Sequence, residues 1–264
     1  LLCGIFSKLK DFSGFVRLRL SFFGSFFGVV GYIMFNPLSL NLIPVFLGCF
    51  CTLALLFSCK KIRDIRAGLI KDRPDALATR KTGILLLVII FLIGFVSSLY
   101  LSYTSLFFYS SMVFIAVAYG FFRLNMRSSS HLYKNLYAAF GLPLLFLFGA
   151  GTFNLETIFY YLLFFILLFP GAMIADLRDY KEDIITGKKT VPTVIGYAKS
   201  KALVCSILSV FALLVFSLYI IPFVLFGMFS LLMVLLVSMN RPNHAHLSGA
   251  VSFPISFLWI LVTV

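Results

Sequence analysis

The chain alternates between long apolar runs and short charged segments. No Lys, Arg, Asp or Glu occurs in residues 20–59, 82–122 or 202–240, runs of 40, 41 and 39 residues. Residues 135–175 form a fourth run, interrupted only by Glu156, and residues 242–264 add 23 more. One helical crossing of a bilayer takes about 20 apolar residues, so each long run reads as a helical hairpin and the last as a single span. The pattern predicts an all-α integral membrane protein with nine transmembrane helices in one polytopic domain over 1–264. The spans fall at residues 20–36, 39–59, 83–102, 105–122, 136–152, 156–175, 202–219, 222–239 and 246–264. Backbone groups in lipid must be satisfied within their own segment, which selects helix over open sheet, and the period-2 alternation of a barrel is missing. Turn chemistry marks the middle of each hairpin: Asn36-Pro37, Tyr103-Thr104-Ser105, Gly151 to Glu156, and Ile221-Pro222.

Composition agrees. Of 264 residues 61% are hydrophobic and 12% charged, 33 are Phe and one is Trp, and the mean hydropathy is +1.07. A water-soluble chain of this length cannot hide so much apolar surface. The formal charge of +13, from 22 Lys and Arg against 9 Asp and Glu, would suggest a nucleic-acid partner in a soluble domain. Placement changes that reading. With nine crossings every basic residue falls on one side, which the positive-inside rule makes the cytoplasm, so the N-terminus lies inside and the C-terminus outside. The basic surplus then expresses topology and an affinity for anionic headgroups or phosphates; the expected partners include membrane lipids and exclude nucleic acid. Cys3, Cys49, Cys51, Cys59 and Cys205 lie in or beside spans without metal-ligand spacing and read as small apolar residues. The first apolar stretch is followed by eight more, so it reads as a membrane helix and not as a cleaved leader. The compact loops point to a prokaryotic plasma membrane.

Two segments between hairpins are long and charged, around residues 60–81 and 176–201, and they hold seven of the nine acidic residues. The second reads Asp176-Leu-Arg-Asp179-Tyr-Lys-Glu-Asp183-Ile-Ile-Thr-Gly187-Lys188-Lys189-Thr190-Val-Pro192. Spacings of three and four put Asp176, Asp179 and Asp183 on one narrow helical face. Carboxylates that converge repel one another unless a cation sits among them. Oxygen-only ligands suit Mg²⁺, which binds through a few carboxylates, waters and substrate phosphates. Gly187-Lys188-Lys189 then supplies a turn with two ammonium groups for the far phosphate oxygens. The alternative is a solvated interfacial loop whose acids pair with Arg178 and Lys181.

This segment, ending an apolar helix and followed by Ile195-Gly196, resembles the second aspartate-rich motif of the UbiA-type intramembrane prenyltransferases. Arg17 and Arg19 before the first span and Asn135 opening the fifth extend the resemblance. It implies nine helices bundled around a central lipid-accessible cavity, Mg²⁺ as cofactor and a prenyl diphosphate as donor. Metal and cations then stabilise the diphosphate leaving group while the allylic carbon is captured by an acceptor nucleophile. The family's first motif, Asn-Asp-x-x-Asp-x-x-x-Asp, should sit between spans two and three. Here the segment is Lys60-Lys61-Ile-Arg-Asp64-Ile-Arg-Ala-Gly68, followed by Lys71-Asp72-Arg73-Pro74, so Asp64 alone survives. By this resemblance Asp179, Asp183 and Asp64 are the catalytic candidates, and Asp176, Asp179, Asp183 and Asp64 the metal ligands. Lys188, Lys189, Lys60, Lys61 and Arg73 are assigned to diphosphate, and Tyr119, Asn135 and Arg19 to an acceptor pocket. Three outcomes stay open: a site with one metal, a homologue that binds prenyl phosphate without turnover, and a substrate with another headgroup. A small-solute or lipid transporter is the reading from another class, against which stands the location of the charges at one membrane face and not at midplane.

Remaining signals have plainer expectations. Gly24 and Gly28 form a G-x-x-x-G pair that favours close helix approach within the chain. Glu156 reads as an exposed loop end. His244 and His246, two apart in a short interfacial turn, receive no ligand role, and His131 reads as a loop residue.

Overall fold

Each long apolar run folds as two helices. In the computed structural model, which describes residues 16–66, 81–121 and 133–263, the first run gives α1 (Leu18–Phe35) and α2 (Leu42–Arg66). The second gives α3 (Lys81–Leu101) and α4 (Tyr103–Phe121), and the third α5 (Tyr133–Ala150) and α6 (Leu155–Arg178). Two short helices follow, α7 (Tyr180–Ile185) and α8 (Val191–Ile195), then α9 (Tyr197–Ser217), a 3₁₀ turn (Ile221–Phe223), α10 (Val224–Ser238) and α11 (Pro242–Thr263). Five segments have the length and apolar composition to cross a bilayer: Leu42–Cys59, Gly83–Leu101, Leu155–Arg178, Tyr197–Ser217 and Ile221–Ser238. Leu20–Phe35, Tyr103–Val117 and Ala138–Ala150 are shorter apolar stretches. The chain is an integral membrane protein.

One hairpin turn and one interfacial turn differ from the sequence expectation. Tyr103, Thr104 and Ser105 are not a turn but the first turn of α4, because Ser102 alone breaks the chain. The Ser102 hydroxyl accepts the Ser105 N–H at 3.0 Å, an N-cap that lets the next helix begin at once. His244 and His246 are likewise helical. Pro242 opens α11, where its fixed φ and missing N–H suit a first helical position, and this draws both histidines into the first turns.

The chain divides into two compact units, Leu1–Leu124 with Leu144–Asn154, and Asn125–Pro143 with Leu155–Val264. The boundary falls inside α5 beside Pro143, which has no N–H to give to the preceding turn. In the first unit, glycines bring α1 against α2 and the end of α5. A Cβ on Gly24 would meet the Leu53 side chain, one on Gly28 the Cys49 sulfur, one on Gly31 the Phe146 carbonyl, and one on Gly149 the Gly28 carbonyl. Small residues at such crossings let backbones touch, so the Gly24-Gly28 pair packs within the chain. Hydrogen bonds tie further helices within this unit: Asn36 Nδ2, just past α1, donates to the Ala150 carbonyl of α5 (3.1 Å), Ser105 Oγ of α4 to the Phe148 carbonyl of α5 (2.9 Å) and the Tyr109 hydroxyl of α4 to the Phe91 carbonyl of α3 (2.7 Å). Apolar side chains on α3, among them Ile84, Leu85, Val88, Leu92 and Val96, face outward, where lipid replaces protein as solvent.

In the second unit α6 is flanked by α9 and α11, and α10 packs on both of these. Rings of Tyr160, Phe164, Phe223 and Phe226 interlock at its core, with Phe164 and Phe223 centroids 4.9 Å apart. The first half of α5 joins through Phe140, whose ring meets Phe165 at 4.9 Å and whose carbonyl accepts the Tyr161 hydroxyl. Non-glycine residues in left-handed geometry, Tyr219 and Asn240, end α9 and α10. Lys201 Nζ caps the end of α10 on the Ser238 carbonyl (2.9 Å) and Asn240 Oδ1 (2.8 Å), a cation where the helix dipole is negative.

Candidate functional site

The second acidic segment lies wholly in the second unit, at the end of α6. The helix does not run through it unbroken. Asp179 bends the chain between α6 and α7 with φ −88° and ψ 4°, yet its N–H still reaches the Ala175 carbonyl (3.1 Å) and its carbonyl accepts the Asp183 N–H (2.9 Å). The three carboxylates consequently meet different surroundings. Asp176 is buried, at 1% exposure, and Asp183 nearly so at 3%, whereas the Asp179 side chain is 43% exposed.

Their partners differ as well. Asp176 Oδ2 accepts Asn135 Nδ2 at 2.8 Å from the first turn of α5. Asp179 receives Arg178 in a two-pronged pair, Nε to Oδ1 at 2.7 Å and Nη2 to Oδ2 at 3.0 Å. That pairing was the alternative which the sequence left open for Arg178; Lys181 is exposed. Arg178 Nη1 also lies 3.5 Å from His246 Nδ1, linking the α6 end to the start of α11. The sequence held no signal for this contact, since 68 residues separate the two.

A single backbone motif places the lysines. Gly187 ends α7 at φ 65°, its N–H on the Ile184 carbonyl (3.2 Å), and the Lys188 N–H turns back to the Asp183 carbonyl (2.9 Å). This paired closure is a Schellman cap, whose left-handed position suits glycine. It folds Lys188 over its own helix, so that Nζ sits 3.2 Å from Asp183 Oδ1 and 4.0 Å from Glu182. Lys189 is exposed. Thr190 and Thr193 then form a capping box that starts α8, with Thr190 N–H on Thr193 Oγ1 at 2.8 Å and Thr193 Oγ1 donating to the Lys188 carbonyl at 3.0 Å. Thr-Val-Pro-Thr was a legible start signal, with Pro192 in the first turn, that the sequence reading passed over.

Among the described residues, no three His, Cys, Asp or Glu side chains gather closely enough to hold a metal ion. The donor chemistry nonetheless fits Mg²⁺: two buried carboxylates, and beside Asp176 a buried amide oxygen, Asn135 Oδ1, without a hydrogen-bond partner. Such a set suits a cation that takes part of its coordination from phosphates and water. The other sequence candidates are placed only in part. The side chains of Arg19, Lys60, Asp64 and Tyr119, all of Arg73, and also Cys3 and His131, lie outside the described residues. Lys61 is half-buried at the end of α2 in the first unit. Arg17, also there, holds its guanidinium 5.5 Å above the Phe57 ring. Glu156 is exposed in the first turn of α6, where an acid favours the helix dipole.

Known structures share this architecture. A digeranylgeranylglyceryl phosphate synthase matches with a TM-score of 0.73 at 18% identity, covering 97% of this chain and 98% of its own. A UbiA homologue from Aeropyrum pernix K1 matches at 0.72 and 16%, covering 94% and 99%. A UbiA homologue from Archaeoglobus fulgidus, bound to DMAPP and Mg²⁺, matches at 0.65 and 13%, covering 95% and 98%. No curated protein sequence matches the chain. Residues 71–261, nearly three quarters of the sequence and the whole of the acidic, Schellman-capped segment with it, match the UbiA prenyltransferase family, and to that family the chain belongs.

Proposed function

We propose that the protein transfers a polyprenyl group from a prenyl diphosphate to a small or lipid acceptor within the membrane. The observation that carries this reading is the segment from Asp176 to Lys188, where buried carboxylates and an ammonium group on a fixed turn share one helix end. Family membership supports it, as do the Archaeoglobus fulgidus homologues bound to DMAPP or to GPP together with Mg²⁺. The nine long helices among the described residues are read as nine crossings around a lipid-accessible cavity, with the acidic segment on the cytoplasmic side and the N-terminus inside.

Asp176, Asp179 and Asp183, with Asp64, would hold Mg²⁺, which when bound draws charge from the leaving diphosphate. The chain's own groups do the rest. Asp183 must exchange Lys188 for the incoming ligand, which frees the ammonium for a phosphate oxygen while the Gly187 turn keeps it at hand. Asp179 exchanges Arg178 in the same way, and that guanidinium becomes a second donor. Lys189, Lys60, Lys61 and Arg73 add positive charge, and the lysines serve as point charges for phosphate. The allylic C–O bond breaks with its electron pair leaving on diphosphate; the acceptor nucleophile bonds to carbon and loses a proton. A Phe-rich interior suits the isoprenoid tail, whose contacts are apolar and tolerant of length.

The departures at Lys60, Lys61 and Gly68 favour a second reading, a homologue that binds prenyl phosphate without turnover. Purified protein in nanodiscs, given labelled prenyl diphosphates and candidate acceptors, separates the two. Prenylated product with stoichiometric diphosphate release supports transfer. Binding without release supports the silent homologue, and release that persists in Asp179→Asn or under excess chelator rejects the metal role.

A further inference from the structure

Asn135 occupies an unusual position for an amide. It is fully buried in the first turn of α5, its Nδ2 donates to the buried Asp176 at 2.8 Å, and its Oδ1 has no hydrogen-bond partner. A buried acceptor left unpaired is destabilising, because it has given up water without gaining a donor. Exchanging the two ends of the amide does not remove the cost, because the oxygen would then face a carboxylate with no proton between them. Asp176 therefore fixes which edge of the amide it meets, and the orphaned oxygen is held within the same side chain's width of an anionic one.

A neutral oxygen beside a carboxylate, both buried, is a pairing that a hard divalent cation accepts and that a hydrophobic core does not need. The same conclusion follows from the acids. No three acid, histidine or cysteine side chains converge among the described residues, so a cation held by these aspartates needs oxygen from another kind of group as well. Asn135 offers one: its Nδ2 donates to Asp176 at 2.8 Å, and the Oδ1 of the same amide has no hydrogen-bond partner. We propose that Asn135 Oδ1 is a cation ligand beside Asp176, adding an amide oxygen to the aspartates named above, with diphosphate and water filling the remaining positions. The inference rests on the diphosphate reading above.

Manganese serves as the probe, since its bound and free forms are separated by electron paramagnetic resonance. Purified protein in detergent is titrated with Mn²⁺ in the presence of inorganic diphosphate, for the parent chain, Asn135→Leu and Asn135→Asp. Ligation predicts that Asn135→Leu weakens Mn²⁺ binding by about tenfold or more. Asn135→Asp keeps an oxygen while it loses the N–H donor, and should bind Mn²⁺ at least as tightly as the parent. If Asn135→Asp fails as badly as Asn135→Leu, the side chain acts by donating to Asp176 and the inference is overturned. Parent-like Mn²⁺ affinity in Asn135→Leu with a raised acceptor KM overturns it too, in favour of an acceptor pocket. Should Asn135→Leu not fold, Asn135→Asp alone decides: retained affinity supports ligation and loss refutes it. A parent chain that binds no Mn²⁺ with diphosphate present overturns the cation reading itself, a failure distinct from any confined to the variants.

Discussion

Replacing Gly187 by alanine tests whether backbone geometry, and not charge alone, builds the phosphate grip. Gly187 has φ 65°, and among the described residues nothing lies within 4 Å of a Cβ placed there. Steric collision is therefore absent and the cost is conformational alone, about 1–2 kcal/mol for an L-residue in the left-handed region. If that strain unwinds the Schellman closure, the Lys188 N–H leaves the Asp183 carbonyl and the ammonium leaves its 3.2 Å station beside Asp183. A penalty of 1–2 kcal/mol corresponds to a factor of about 5–30 in the population of the closed turn, and apparent affinity falls with the competent fraction. The expected result is a rise of up to that factor in the apparent Kd for a prenyl diphosphate, measured by filter binding or calorimetry in nanodiscs. Gly187→Asn should lie between, since Asn tolerates left-handed geometry better than alanine. Equal affinity for the parent, Gly187→Ala and Gly187→Asn would refute the claim that the turn positions Lys188.

Three more outcomes can be checked with simple measurements. Gly149→Ala should lower thermal stability by about 1–3 kcal/mol through overpacking against the Gly28 carbonyl, whereas Gly141→Ala, in open space on the same helix, should be neutral or stabilising by up to about 1 kcal/mol; thiol-reactive melting curves report both. Lys188→Met leaves a buried Asp183 without its cation and should destabilise by about 1–3 kcal/mol, and adding Asp183→Asn should recover most of that loss in the same melt. The exposed Arg178–Asp179 pair contributes at most about 1 kcal/mol, so Asp179→Asn should leave the melting temperature almost unchanged while prenyl transfer drops more than tenfold; unimpaired transfer would remove Asp179 from the site.

The helices were legible in the sequence because charge and apolarity alternate at bilayer length. Each forty-residue run became a hairpin, and the Pro and Gly punctuation at Asn36-Pro37, Gly151 and Ile221-Pro222 marked real breaks. Ser102 escaped notice because a one-residue break capped by a serine leaves no cluster of turn residues. At the site, spacing alone put three aspartates on one face, but it could not report the bend at Asp179, which comes from the way α6 ends and not from a Gly or Pro. Nor could it separate buried Asp176 and Asp183 from exposed Asp179, since burial depends on α5 and the Gly187 cap. The pairing of Asn135 with Asp176 spans 41 residues and has no local signature.

The cap at Gly187 also bears on how the protein is made. Asp183 and Lys188 are five positions apart and joined by backbone bonds of their own, so closing that loop demands little chain entropy. Contacts of such short range form early. An anion and a cation emerging together at the foot of α6 compensate one another from the moment of synthesis, and this charge-neutral knot can rest at the lipid headgroups while later helices are still being threaded into the bilayer.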